Sequence, residues 1–338
     1  MASEKFGNIQ ALRALAAISV VVVHAAGTSI RYTTATSHLV EPAKYLSFGV
    51  DLFFVISGFV IYLTTTQSNL LAAEFIKRRL QRIVPLYWLL TIAFFACLQV
   101  IPGLNAAALT DWPKFVASLG FASFAHWGMP VIYPGWTLEY EMVFYALTAV
   151  ALASSRRQPW AFVSIALCAA TLARPWIGSD PYPVLDFLTN SIVLSFVGGI
   201  VVAQWALNGR PAPVEAVAFS VAIAAAAVND PMQRALYAGL PCAVVVYAAV
   251  KAGPTKAHPW LMKLGDASYA IYLLHVFLIA VVGKVSRALA PSLNADLLAV
   301  AMTISALLAG LALHQWVERP MARLWKRQRS VFAPRLAA

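Results

Sequence analysis

A few ionisable side chains interrupt the apolar segments of this sequence, and they are its clearest indication of chemistry. A charge inside an apolar membrane-spanning helix costs at least about 2.5 kcal/mol on insertion scales, so a chain retains one there mainly for function. An imidazole suits general-base chemistry near neutral pH, whereas guanidinium groups bind phosphates through paired hydrogen bonds. The residues concerned are Arg13, His24, Asp51, Glu139, Glu141, His275, His314 and Glu318.

The spacing of these residues predicts two layers of polar groups. Arg13 and His24 are eleven positions apart, about three helical turns, so they share one face and lie roughly 16 Å apart along the axis. His24, Asp51 and Glu141 each lie five or six positions from one end of their segments. This predicts an outer layer in which Asp51 or Glu141 orients His24 as a general base. The inner layer then holds Arg13, which either binds phosphate or only pairs with Glu318, and the residues Lys77, Arg78, Arg79, Arg82, His275 and His314.

The composition identifies the environment of these residues. Of 338 residues, 61% are hydrophobic and 12% are charged, and the mean hydropathy is +0.73. Soluble domains carry about 25% charged residues, so this chain lacks the polar surface of a water-soluble protein of its size. The cysteines Cys97, Cys168 and Cys242 lie in apolar runs without metal-ligand spacing, and no metal is predicted. The sequence therefore predicts an integral membrane protein surrounded by lipid.

Ten apolar segments are long enough to cross about 30 Å of hydrocarbon. None alternates with the period of a membrane β-strand, so the predicted fold class is all-α, a polytopic protein of about ten transmembrane helices. The segments are 9–30, 46–66, 83–101, 136–153, 159–176, 187–207, 213–228, 234–250, 267–287 and 296–317.

The distribution of basic residues predicts the orientation. With a cytoplasmic N-terminus, the inner segments hold 17 Lys and Arg residues and the outer segments hold 7. This positive-inside bias predicts a multi-pass membrane protein with both termini cytoplasmic. It also accounts for the net charge of +11, so no nucleic-acid partner is predicted. We predict one membrane domain over residues 1–330, a cytoplasmic tail at 331–338 and no appended soluble domain.

Short motifs are distributed along nearly the whole chain. The first is Arg13 and His24 with ten residues between them, and the second is the run Gly-Val-Asp-Leu-Phe-Phe-Val-Ile-Ser-Gly-Phe at 49–59. The others are Arg78-Arg79 with Arg82-Ile83-Val84-Pro85-Leu86-Tyr87-Trp88, Trp136-Thr137-Leu138 with Glu141, Phe144 and Tyr145, Leu264-Gly265 with Ser268-Tyr269, Ile271-Tyr272-Leu273 with His275, and Glu318-Arg319-Pro320. In type and order these motifs resemble those of the membrane acyltransferase family 3.

The resemblance implies a ten-helix enzyme that transfers an acyl group, usually acetyl, from cytoplasmic acyl-coenzyme A to a sugar hydroxyl. The acceptor is typically a surface polysaccharide or its lipid-linked precursor, and the compact chain is most similar to exopolysaccharide O-acetyltransferases. The Arg and His of the first helix are that family's essential pair, which assigns these roles to Arg13 and His24. The family motif Trp-Ser-Leu-x-x-Glu falls on Trp136, Thr137 and Glu141, where Thr replaces the usual Ser and keeps its hydroxyl.

The predicted site residues form three groups. The predicted catalytic residues are His24, Glu141, Asp51 and Arg13. The predicted acetyl-coenzyme A site contains Arg13, Arg78, Arg79, Arg82, Tyr87, Ser268, Tyr269 and His275. The predicted acceptor site contains Trp136, Thr137, Glu139 and Tyr145.

A transporter or a flippase of a lipid-linked sugar is the alternative function, because proton-coupled carriers also place Arg, His and Glu inside helices. Carriers usually show two halves with matching broken helices, and the two halves of this sequence show no such correspondence. The sequence also lacks a Gly-x-Ser-x-Gly elbow, so direct transfer without an acyl-enzyme is the predicted mechanism. No small-residue helix face dominates, and no oligomeric state is predicted.

Overall fold

The computed structural model describes residues 7–68, 70–100, 111–125, 128–154, 158–177, 183–228, 233–253 and 258–324. These residues form fifteen α-helices and no strand, which confirms the all-α prediction for the described ranges. The helices are α1 (Gly7–Ser29), α2 (Val40–Lys44), α3 (Gly49–Ser68), α4 (Ala72–Val100), α5 (Trp112–Leu119), α6 (Gly135–Ala153), α7 (Pro159–Leu172), α8 (Arg174–Ile177), α9 (Pro183–Leu188), α10 (Leu194–Asn208), α11 (Pro213–Val228), α12 (Leu240–Lys251), α13 (Pro259–Asp266), α14 (Ser268–Leu289) and α15 (Ala295–Leu313). Short 3₁₀ turns cover Tyr45–Phe48, Ser123–Ala125 and Ser191–Val193, and π-helical turns cover Ala235–Gly239 and His314–Glu318.

Six helical stretches are long and apolar enough to cross a membrane. They are Gly7–Ser29, Val40–Gln67, Ala72–Val100, Pro183–Asn208, Ser268–Leu289 and Ala295–Leu324. The other four predicted crossings coincide with α6, which carries two glutamates, and with the shorter apolar helices α7, α11 and α12. The count of ten crossings and the cytoplasmic position of both termini therefore stay predictions. The predicted tail at 331–338 lies outside the described residues.

The backbones of α3 and α10 approach closely at two glycines. A Cβ atom at Gly58 would collide with the carbonyl oxygen of Phe196, and a Cβ atom at Gly199 would collide with that of Val55. Small residues permit such an approach between membrane helices, which van der Waals packing holds together. Beside this contact the rings of Phe54 and Phe196 stack at 4.3 Å. The contact fixes α3, which forms one wall of the site described below.

A second close contact aligns α1 with α14. A Cβ atom at Gly265, at the end of α13, would collide with the carbonyl oxygen of Gln10 on α1. Further along the chain, Gly283 on α14 lies against the ring of Tyr32, just beyond the end of α1. Residue numbers thus increase in the same direction on both helices. Side chains that lie hundreds of residues apart in the chain therefore meet between α1 and α14.

Candidate active site

A cavity of about 380 Å³ lies between α1, α3, α4, α6 and α14. Its lining residues on α3 extend from Val50 to Gln67, which is about 25 Å of helix at 1.5 Å per residue. The cavity is therefore elongated along the bundle. The predicted site residues that line it are Arg13, Arg79, Arg82, Thr137, Glu141, Tyr145, Ser268 and Tyr269.

Three guanidinium groups lie on the wall of this arginine-lined cavity. Arg79 and Arg82 share a face because they are three positions apart on α4, and Arg13 reaches the cavity from α1. Arg13 Nη1 donates to Gln10 Oε1 at 3.0 Å, and Arg79 Nη2 donates to Thr64 Oγ1 at 3.1 Å. The Nε atom of Arg79 is buried and has no hydrogen-bond partner among the described residues. None of the three arginines has a carboxylate within ion-pair distance in the described ranges, so this set of donors suits a phosphate.

The neighbouring charged residues are occupied elsewhere. Arg78 does not line the cavity, and its Nε atom pairs with Glu74 at 2.7 Å on the exposed face of α4. Glu318 accepts from His314 Nδ1 at 2.7 Å. The alternative in which Arg13 only pairs with Glu318 is therefore not what the described residues show.

Glu141 is tied to the arginines through one tyrosine. Its Oε1 atom accepts a hydrogen bond from Ser57 Oγ at 2.7 Å and another from the hydroxyl of Tyr145. The guanidinium carbon of Arg79 lies 5.8 Å from the centre of the Tyr145 ring. The carboxylate thus holds two side chains of the cavity wall in place.

The first turn of α14 forms the wall that faces these groups. The hydroxyl of Tyr269 donates to the carbonyl oxygen of Ile83 at 2.7 Å, which joins α14 to α4. Ser268 Oγ is buried without a hydrogen-bond partner among the described residues, although it lines the cavity. This hydroxyl is free to bind a ligand.

Tyr272 lies between the arginine-lined cavity and a pair of histidines. Its hydroxyl lies 2.8 Å from Thr137 Oγ1 and donates to the carbonyl oxygen of Pro134 at 3.2 Å. Its ring lines the cavity and also packs against the ring of His275, with 5.9 Å between the ring centres. Tyr272 is thus in contact with both parts of the site.

His24 and His275 form a hydrogen-bonded pair whose partners define the tautomers. His275 Nδ1 lies 2.6 Å from the carbonyl oxygen of Tyr272, so it carries the proton and leaves Nε2 of the neutral ring as an acceptor. That Nε2 lies 3.3 Å from His24 Nδ1, which also lies 2.9 Å from the carbonyl oxygen of Val20. His24 Nδ1 therefore carries a proton, and its Nε2 keeps a lone pair. The His24 ring contacts the Tyr133 ring edge-on at 5.8 Å.

The prediction that Asp51 or Glu141 orients His24 is wrong. Asp51 is fully buried and binds Arg234 Nη2 at 2.6 Å and Ser195 Oγ at 3.3 Å, while Glu141 lies in the arginine-lined cavity. A buried carboxylate bonds to the nearest cation, and residue spacing on separate helices does not reveal which cation that is. The partner of His24 is a second histidine.

The prediction that His275 lies in the inner layer is also wrong, because His275 contacts His24. Counting positions within each segment assumes that all helices cross with the same tilt and starting depth. The contact between Gly265 and Gln10 gives a common starting point. His275 lies ten positions after Gly265, and His24 lies fourteen positions after Gln10. The two histidines therefore reach similar depths.

The polar residues of α6 are divided between two faces. Thr137, Glu141 and Tyr145 recur at intervals of four and line the arginine-lined cavity. Trp136 and Glu139 lie on the other face, where they line a second cavity of about 570 Å³. The four predicted acceptor residues are thus not all brought together.

Tyr87, predicted to bind coenzyme A, does not line the arginine-lined cavity. Its hydroxyl donates to the carbonyl oxygen of Ser118 at 3.0 Å, and its ring stacks on Phe121 at 4.7 Å. The structure gives Tyr87 contacts that join α4 to the segment containing α5.

Several residues of the two cavities were not predicted. Gln10 and Thr64 are uncharged polar residues in apolar segments, and such residues often bond to their own helix. Ser57 and Tyr272 belong to motifs recognised in the sequence, so the motifs themselves were the signal. The sequence gives no indication of a role for Tyr133, because this residue precedes α6 and reaches the second cavity and His24 through tertiary contacts.

A comparison with protein families decides the identity of the chain. The profile described as "Acyltransferase domain" matches residues 6–315. The chain belongs to acyltransferase family 3. With its long apolar helices, it is a multi-pass membrane protein.

Two curated relatives cover most of this acyltransferase. It is 34% identical to the exopolysaccharide production protein ExoZ of Rhizobium meliloti (strain 1021) over an alignment of 297 positions, gaps included, that covers 83% of this chain and 91% of that protein. It is 28% identical to the acyltransferase MdmB of Streptomyces mycarofaciens over an alignment of 377 positions, gaps included, that covers 96% of this chain and 93% of that protein. No solved structure matches the chain.

The ion pair of Asp51 and Arg234 should contribute mainly to stability. Arg234→Gln should lower the free energy of unfolding by about 3–5 kcal/mol, because it leaves a buried carboxylate without its cation. Asp51→Asn should cost less, because Arg234 is 38% exposed and water can solvate it. The double variant should lose less free energy of unfolding than the sum of the losses in the two single variants. Thermal unfolding of the purified protein measures these effects, with Glu41→Gln in an exposed pair as the control. Strictly additive losses would show that the pair is not coupled.

Proposed function

We propose that this acyltransferase moves an acetyl group from acetyl-coenzyme A to a hydroxyl of a surface polysaccharide or of its lipid-linked precursor. The observation that supports it best is one elongated cavity whose wall holds guanidinium groups without an ion-pair partner among the described residues. Tyr272, which contacts the histidine pair, lines the same cavity. One relative is named for exopolysaccharide production and the other as an acyltransferase. The reaction takes place in a bacterial inner membrane with both termini cytoplasmic.

Arg13, Arg79 and Arg82 hold the phosphates of coenzyme A at the cytoplasmic end of the cavity. The free Nε atom of Arg79 supports this role, because a buried guanidinium donor without an acceptor is costly. The pantetheine arm is long and flexible, and the cavity offers it about 25 Å along α3. The thioester can thus extend toward Tyr272 while the nucleotide stays at the arginines. No metal takes part.

His24 is the general base. Its Nε2 takes the proton from the acceptor hydroxyl while the hydroxyl oxygen bonds to the thioester carbonyl carbon. The carbon–sulfur bond then breaks, and His24 returns the proton to the departing sulfur. His275 is a positioning residue, because its Nε2, together with the nearer carbonyl oxygen of Val20, accepts from His24 Nδ1 and so keeps the lone pair of His24 on Nε2.

A transfer assay tests this function against the carrier alternative. The purified protein in lipid nanodiscs receives acetyl-coenzyme A with a labelled acetyl group, with and without oligosaccharides from the surface polysaccharide of the producing bacterium. We expect free thiol to form together with labelled glycan. Transport of a lipid-linked sugar without thiol release would instead identify a carrier.

Replacing Arg79 or Arg13 by Ala should weaken acetyl-coenzyme A binding about tenfold or more, because charge-assisted hydrogen bonds contribute about 1.5–3 kcal/mol each. Calorimetric titration of the nanodisc-embedded protein measures the affinity. Arg78→Ala is the matched control, since Arg78 is on the same helix but pairs with Glu74 outside the cavity. The affinity of this control should stay within about twofold of the wild type. Equal losses of acetyl-coenzyme A affinity in Arg78→Ala and Arg79→Ala would show that the phosphates do not bind at the arginine-lined cavity.

His24→Ala should lower turnover by about 10²- to 10⁴-fold, since a positioned base contributes that much, and should leave acetyl-coenzyme A affinity unchanged. His275→Ala should lower kcat by a smaller factor without changing either KM. His275→Gln should restore part of the rate because its amide oxygen can accept from His24 Nδ1. His38→Ala, on the exposed surface, serves as the control. Near wild-type turnover in a folded His24→Ala protein would overturn the assignment.

A further inference from the structure

The second cavity lies on the face of α6 that points away from the arginines. Its volume is about 570 Å³, and its wall combines aromatic rings, two carboxylates and one amide. Trp136, Glu139 and Tyr140 contribute from α6, while Asp186 and Phe187 contribute from α9. Nothing in the coenzyme site described above uses this cavity.

One buried carboxylate oxygen in this cavity has no partner. Glu139 is 1% exposed, and its Oε1 atom accepts from the backbone N–H of Ser123 at 2.7 Å. Its Oε2 atom is buried without a hydrogen-bond donor among the described residues. A buried polar atom left in this state is costly, and a ligand that donates a hydrogen bond removes the cost. A ligand hydroxyl bound in the cavity would give this atom a donor.

Stacked rings form the apolar part of the same wall. Tyr140 stacks on Phe187 at 3.8 Å, and Phe187 stacks on Phe124 at 4.1 Å, so three rings make one column. Trp136 lies edge-on to Tyr140 at 5.9 Å. Both faces of Phe187 are covered in this column, so the outer faces of the end rings, Tyr140 and Phe124, are the ones left for a ligand. Aromatic faces carry negative charge density and attract the C–H hydrogens of a sugar ring.

The polar groups of the cavity disfavour an anion. Asp186 is exposed and pairs with Arg174, which offsets its charge, and Asn190 brings an amide to the rim. Glu139 has no cation within ion-pair distance among the described residues, so its carboxylate disfavours a phosphate or a uronic acid and accepts hydrogen bonds from hydroxyl groups. The combination of rings, carboxylates and an amide matches a neutral, polyhydroxylated ring.

Tyr133 connects this cavity with the proposed base. It lines the second cavity, and its ring contacts the ring of His24 edge-on at 5.8 Å. A sugar in this cavity is therefore separated from His24 by a single ring.

We propose that the second cavity is the acceptor site and that it binds a neutral sugar unit of the glycan. Glu139 accepts a hydrogen bond from one sugar hydroxyl, the ring column packs on the sugar face, and another hydroxyl is directed past Tyr133 toward His24. The two substrates thus approach the histidine pair from opposite faces of α6. This inference rests on the proposed acetyl transfer, because it takes His24 as the base.

The probe is a partial hydrolysate of the surface polysaccharide of the producing bacterium, separated into neutral and acidic oligosaccharides. Calorimetry without acetyl-coenzyme A measures glycan binding to the full-length protein in nanodiscs, and the labelled transfer assay gives KM for each substrate. We expect the wild type to prefer the neutral fraction. Glu139→Gln should raise the Kd and the KM for that fraction about tenfold, because the carboxylate acceptor loses its charge. The KM for acetyl-coenzyme A should not change.

Asp186→Asn provides a second variant, in which loss of the solvent-exposed pair with Arg174 should lower folding stability only slightly, and we expect a smaller loss of glycan affinity. Glu41→Gln is the matched surface control. Unchanged glycan affinity in both cavity variants, or a preference for the acidic fraction, or no binding of either fraction by the wild type, would overturn the acceptor site. Glycan binding that Glu139→Gln weakens, without any thiol release by the wild type, would keep this site and reject the acetyl transfer instead.

Discussion

A charged side chain among apolar helices must have a partner, and the arrangement of this bundle follows from that requirement. Asp51 meets it with Arg234, and Glu141 meets it with the hydroxyls of Ser57 and Tyr145. Arg79 and Glu139 each keep one buried atom without a partner among the described residues, and both side chains line cavities. These two atoms are thus located where ligands can satisfy them, whereas the buried Nε atom of Arg234, also without a partner among the described residues, lines neither cavity.

The helix α6 organises the two cavities because its polar residues face in two directions. Thr137, Glu141 and Tyr145 belong to the arginine-lined side, whereas Trp136 and Glu139 belong to the aromatic side. One short motif therefore contributes to both cavities at once. The histidine pair of α1 and α14 is connected to each side through a single tyrosine, Tyr272 on one and Tyr133 on the other. On the proposed mechanism, this arrangement keeps the two substrates separate until they meet at His24.

The sequence was sufficient to predict the fold class and most of the polar residues of the first cavity. Composition identifies a helical membrane protein, and charges inside apolar segments are rare enough to be noticed. The sequence could not predict the partners. His24 and His275 are 251 positions apart, and their contact depends on where α13 meets α1. The assignment of the polar residues of α6 to two faces could have been predicted, because helical periodicity alone separates Trp136 and Glu139 from Glu141.

Tyr272 also has a consequence for the membrane itself. The hydrogen bonds of its hydroxyl hold its ring between the arginine-lined cavity and the histidines. A continuous file of water along this route would conduct protons and dissipate the membrane potential, which represents about 2.3 kcal/mol per elementary charge for each 100 mV. The Tyr272 ring stands between the two parts of the site and so opposes such a file, whereas the proposed transfer requires the thioester to pass this ring on its way to His24. The same side chain would then be both the barrier against proton leakage and the passage for the acyl group.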